Sequence, residues 1–122
     1  MVGEEADVWL HPETPVPLPG SIAVEDEDDQ RVLFLRGDLD AAVVASFEAA
    51  QRPEPVVVDA IDAADVTFMS SRGVAVMLLS VEASLAAGRS PVLRASSPVV
   101  DRLLRMSGIE DLFRRSPDTG TP

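Results

Sequence analysis

Cysteine is absent from the 122 residues, and with it go disulfides, thiol catalysis and thiolate metal sites. Lysine is absent as well, since all ten basic residues are arginine. That excludes lysine-bearing phosphate loops and Schiff-base chemistry. Histidine occurs once, as His11, ahead of the first patterned segment. Aromatic residues make up only 4%, so a core must be built from valine, leucine and alanine. No apolar run approaches the roughly 20 residues that cross a bilayer, and the acidic N-terminus does not read as a signal peptide. The expectation is a protein without a membrane span that is not secreted.

Basic charge is missing where acidic charge is dense. Residues 1–30 hold nine acidic side chains and no basic one, whereas residues 31–122 set twelve acids against ten arginines. The net charge of −11 therefore belongs mostly to the leading segment. The remainder assembles no basic patch of a size useful for nucleic acid. The run EDEDD at residues 25–29 reads as a solvated turn.

The length suits one domain. Residues 1–19 carry four prolines without a sustained period and read as an acidic arm, flexible or docked, with Trp9 as its one large anchor. Residues 20–115 form the domain, and 116–122 a flexible tail. Within the domain, residues 21–25 and 31–36 read as a hairpin. Asp40 is placed to cap a helix over Ala41–Gln51, which the prolines at 53 and 55 end. Residues 56–58 are expected as a short buried strand, resumed after a loop at 66–69. A second helix is expected over residues 71–87, with Val74, Met77, Leu78, Val81 and Leu85 as its sheet-facing stripe and Gly88 as its stop. Residues 91–95 read as a strand. Ser97 and Pro98 open a third helix ending near Gly108, and residues 109–113 make one further turn. The order β-β-α-β-α-β-α predicts an α/β domain with a mixed sheet of four to five strands, an N-terminal hairpin and three to four helices.

The stretch VTFMSSRGVAVMLL at residues 66–79 puts two serines and a glycine between an apolar strand and an apolar helix. The outline resembles the nucleophile elbow of hydrolases, but Met69 stands where the first glycine belongs. The one histidine lies in the arm, so no general base is in prospect for acyl transfer. Metal hydrolysis has as candidates Asp38, Asp40, Asp59, Asp62 and Asp65, whose spacing fits no tight coordination loop. Helix capping by Ser70 or Ser71 is the plain alternative and is worth about 1 kcal/mol. Two features point beyond it. Gly73 in the first turn weakens a helix and permits close approach of another molecule. Val76, Leu79 and Ala83 lie roughly opposite the expected core stripe, so that face is either covered within the monomer or meets a partner.

Three segments together resemble the STAS domain family, in particular its anti-sigma factor antagonists. LRGDLD at residues 35–40 is similar to the family's strand-ending glycine-acid-leucine-aspartate. Residues 56–59 and 66–73 are similar to its central strand and the acceptor-serine turn that follows. LRMSGIEDLF at 104–113 is similar to its closing motif. The resemblance implies a non-enzymatic, cytoplasmic bacterial switch protein that needs no cofactor. Such a protein binds an anti-sigma factor that is also a serine kinase, so that the sigma factor is released. The kinase phosphorylates a serine at the start of the second helix, the complex separates, and a phosphatase resets it. The position matching that serine is Ser71, with Ser70 second. The implied partner surface comprises Asp38, Asp40, Arg72, Gly73, Val76 and Leu79. This chain departs from the family by carrying Ser70 where aspartate is usual and Arg72 where a small residue is common. A ligand-sensing or scaffold STAS domain without phosphorylation, a STAS subunit of a lipid-transport ATPase, and a homodimer all stay open.

Overall fold

In the computed structural model, which describes residues 19–51 and 54–115, an acidic dipeptide sets the first element. Asp28 and Asp29 both have positive φ, 51° and 66°, as a type I′ turn requires at its two central residues. Aspartate tolerates this region better than most side chains. The turn joins β1 (Ser21–Glu27) to β2 (Gln30–Leu39) in antiparallel register, with Glu27 opposite Gln30 and Ser21 opposite Arg36. The hairpin is thus longer at both strands than its sequence pattern predicts. The Pro-rich arm, apart from its last residue, and the tail lie outside the described residues.

The chain continues through α1 (Ala41–Gln51), β3 (Ala60–Met69), α2 (Ser71–Ala86), β4 (Val92–Ser96), α3 (Pro98–Met106) and a short 3-10 turn at Glu110–Leu112. Strand order is β1-β2-β3-β4, with β2, β3 and β4 parallel. The parallel strands are added in one direction, so right-handed crossovers place α1 and α2 on the same face of the sheet, where α3 joins them. The main core accordingly unites Leu33, Leu35 and Ile61 of the sheet with Val44 of α1, Met77 of α2 and Val100 and Leu104 of α3. The opposite face carries a small cluster of Val32, Phe34, Ala60 and Val92. Arg36 and Arg94 lie over the Phe34 ring at 4.3 and 5.3 Å from its centroid, and Arg94 also meets Glu27 and Asp62 at 2.6 and 3.0 Å.

Two expectations need correction. The expected strand at residues 56–58 and loop before residue 66 are replaced by one ten-residue strand, β3, that starts at Ala60. Its register against β2 slips twice: the step from Phe34 to Arg36 advances two positions while its partners Asp62 to Asp65 advance three, and the step from Gly37 to Asp38 advances one while Val66 to Phe68 advance two. Each bulge adds a residue, so the inward positions Ala63, Val66 and Met69 are spaced by three instead of two. The period-2 signal is lost there although the strand persists.

The second correction concerns α2. Its buried residues are Gly73, Val76, Met77, Ser80 and Ser84, while Leu85, expected in the core stripe, is 57% exposed. The reason lies in residues 56–58, which run beneath α2 without strand partners. Val58 N–H donates to Ser84 Oγ at 2.8 Å, and Ser80 Oγ donates to the Val56 carbonyl at 3.0 Å. Buried backbone groups require partners, and these two helix hydroxyls supply them. The core-facing side of α2 is therefore rotated towards its serines.

The ends of the helices follow their sequence signals more closely. Asp40 Oδ1 accepts from Val43 N–H at 3.0 Å and caps α1. Gly88 at φ 83° lets Arg89 N–H return to the Ser84 carbonyl at 2.9 Å. Ser97 caps α3 through Val100 N–H, with Pro98 in the first turn. Phe113 closes the core at 4% exposure, and Leu93 N–H donates to the Arg114 carbonyl at 2.7 Å. The C-terminal segment thereby forms a single parallel bridge beside β4.

Candidate functional site

The parallel strands β2 and β3 end together, with Leu39 opposite Met69. The two loops that follow are tied where Ser70 N–H donates to the Leu39 carbonyl at 3.0 Å. This brings the start of α1, capped by Asp40, beside the start of α2. Ligands of open α/β sheets gather at the carboxyl ends of their strands, and the two serines stand there.

They are not equivalent. Ser70 occupies the N-cap position in extended conformation but makes no side-chain capping bond. Its Oγ and Asp38 Oδ1 are sealed from solvent without a hydrogen-bond partner among the described residues. Ser71, the first residue of α2, is exposed. Helix capping by a serine hydroxyl, the plain explanation for the pair, is thus not what either residue does. An anion on Ser71 would sit at the positive end of a sixteen-residue helix.

Around Ser71 the expected surface is only partly assembled. Asp38 is half-buried, and Asp40 is exposed with one carboxylate oxygen committed to its cap. The Arg72 guanidinium pairs with Glu48 of α1, so its charge is already engaged across the two helices. Gly73 is buried for an internal reason, since a Cβ there would lie 2.6 Å from Met69 Cγ. The glycine makes room for this chain's own methionine, which corrects the expectation of close approach by another molecule. Val76 is likewise buried at 5%, between core and surface. Leu79 is 58% exposed and is the residue of the set that offers apolar area to solvent. Phe68, 51% exposed at the end of β3, was not singled out by its pattern. The second bulge turns it out, and a period-2 reading has no means of locating a bulge.

The candidate metal-binding aspartates do not gather. Asp59 lies at the opposite end of the sheet, where it accepts from Arg31 N–H at 2.9 Å and from Arg89 at 2.7 Å. The Arg31 hydrogen bond is the largest influence on its carboxyl and, with Arg89, holds its pKa below the ordinary value against partial burial. Asp62 sits on the open face with Arg94, its other oxygen accepting from Ala64 N–H at 3.1 Å. Asp65 is exposed opposite Arg36. Among the described residues, no three histidine or carboxylate side chains come close enough to share a metal ion.

A singly wound α/β domain, with its helices on one face and an exposed serine opening the second of them, defines the class of protein. The family model described as Mlab, STAS domain, matches residues 22–114. The chain belongs to the STAS domain family. Among solved structures it is similar to an anti-sigma factor antagonist from Mycobacterium paratuberculosis. The two share 23% identity and a TM-score of 0.60, over 83% of this chain and 88% of the other. No curated protein matches the chain.

Proposed function

We propose that this STAS domain is an anti-sigma factor antagonist. In this reading it binds an anti-sigma factor with serine kinase activity and is released when Ser71 is phosphorylated. It acts in the bacterial cytoplasm, by binding and not by catalysis, and a phosphatase restores it. The observation that carries the reading is the exposed Ser71 hydroxyl at the start of α2, beside the loop capped by Asp40. The likeness in fold to a protein described as an anti-sigma factor antagonist supports it. Among the described residues, no helix is long and apolar enough to cross a membrane.

The switch has to be strong. Reversing a complex from mostly bound to mostly free takes about 5.5 kcal/mol, whereas capping and dipole effects supply about 1 kcal/mol each. A phosphate adds about −1.5 to −2 charges. Its effect must come from burying that charge against a partner or setting it near a partner's own anions. Within the domain, a phosphate on Ser71 would compete with Glu48 for Arg72, a local exchange that leaves the core untouched.

Ser71→Glu is expected to weaken binding of the co-purified partner at least tenfold while shifting the melting temperature by no more than about 2 °C. Equal affinity for the glutamate variant would refute the reading. A second reading, a STAS scaffold that is not phosphorylated, draws on Ser70, whose sealed hydroxyl stands where the family usually has an aspartate. Isolation of a partner complex indifferent to Ser71 would select it, and capture of a lipid-transport ATPase would point to the remaining alternative.

A further inference from the structure

A groove of about 610 Å³ runs between α1 and α2, away from the serine turn. Phe47, Val56, Val76 and Leu79 supply its apolar surface. Among the described residues its rim carries Glu48, Glu54 and Glu82 and no arginine. Among the described residues, only Glu48 of these three carboxylates has an ion-pair partner, Arg72.

We propose that this groove binds an amphipathic α-helix of a protein partner, one with a leucine-type stripe flanked by arginine or lysine. The choice of a helix follows from the backbone of the groove. The Val56 carbonyl is taken by Ser80, and the neighbouring Val58 N–H by Ser84. An extended peptide would find these two main-chain groups already engaged and would leave its own facing groups unpaired. A helix arrives with its backbone satisfied and offers only side chains. From Val76 to Ala83, α2 rises about 10 Å at 1.5 Å per residue, which matches two turns of a docked helix carrying anchors at i, i+3, i+4 and i+7. The acidic rim selects cationic flanks and disfavours an anionic membrane surface. The inference deepens the proposal that the domain works by binding protein, but it does not depend on Ser71.

The test is a titration of the isotopically labelled full chain with two synthetic helical peptides that share one leucine stripe. One peptide carries arginine beside the stripe and the other glutamate. The arginine peptide is expected to shift the amides of Phe47, Leu79 and Ala83, and to bind about tenfold tighter than the glutamate peptide at low salt. A Glu54→Lys/Glu82→Lys variant should lose that preference, and Leu79→Asp, at an exposed position, should lose binding while keeping its spectrum. Absence of saturable binding, equal affinity for both peptides, or shifts centred elsewhere would overturn the inference. Ser71→Glu, outside the groove's lining, should keep saturable binding with the arginine peptide preferred, whatever small change follows from release of Glu48 by Arg72. A Ser71-dependent partner interaction alongside a failed titration would therefore reject the groove alone, and the converse would reject the phosphoswitch alone.

Discussion

Ser84→Ala removes one oxygen from the interior, and its cost follows from what that oxygen holds. Ser84 and Val58 are fully buried, and Ser84 Oγ accepts from Val58 N–H at 2.8 Å. Alanine leaves the N–H desolvated and unpaired, which costs about 1–3 kcal/mol. The better helix propensity of alanine returns about 0.5 kcal/mol. A net loss of about 0.5–2.5 kcal/mol lowers the melting temperature of a domain this size by roughly 2–20 °C. Ser80→Ala is the informative comparison, because Ser80 donates to the carbonyl of half-buried Val56, which water can reach. The expected loss there is below about 1 kcal/mol, since an exchangeable hydrogen bond is worth about that much and helix propensity offsets part of it. Urea denaturation gives both values, and amide exchange at Val58 should accelerate in Ser84→Ala alone. A Ser84→Ala variant as stable as the parent would refute the claim that helix hydroxyls satisfy this segment.

Gly73→Ala should destabilise by about 1 kcal/mol, because overpacking against Met69 at about 1–3 kcal/mol outweighs a helix-propensity gain of up to about 1 kcal/mol. Thermal melts of the variant would show it, and a higher melting point would contradict the internal role given to this glycine. Asp40→Ala removes the cap on Val43 N–H and should cost about 1 kcal/mol, measurable by urea titration. Asp59 has a lowered carboxyl pKa, so its contribution is present above the unfolded value of about 3.9 and is lost as pH falls through the folded value. Asp59→Asn should therefore reduce stability at neutral pH and flatten its decline below about pH 4, as read from denaturation curves at several pH values.

The regions where the fold was legible in the sequence share a property: local chemistry and tertiary packing agree there. Asp40 and Ser97 cap the helices they precede, and Gly88 ends α2 with a positive φ. The order of strands and helices, with short connections, leaves a parallel sheet with one antiparallel hairpin strand. The regions that were not legible depend on contacts distant in sequence. The bulges of β3 are defined only by its register with β2, which no pattern within residues 60–69 records. The buried side of α2 is set by Ser80 and Ser84, residues that count as polar until the backbone they satisfy, about 26 positions away, is in place.

Of the candidate site, the strand–serine–helix junction was readable from its segment. The difference between its two serines was not, because burial of the Ser70 hydroxyl depends on the neighbouring loop after β2. Gly73 and Val76 were assigned to a partner surface from the permissive backbone of glycine, the helix face opposite the expected core stripe, and the family resemblance. In the folded domain they pack inward, leaving Leu79 and the acidic groove as the accessible part of that flank.

The most direct measurement is site-resolved mass spectrometry of the native protein after affinity purification, before and after incubation of the captured complex with ATP. The account predicts that a single phosphoryl group appears on Ser71 and that the modified protein leaves its partner. A complex that persists with Ser71 modified, or a kinase-bearing partner that leaves Ser71 untouched, would contradict it.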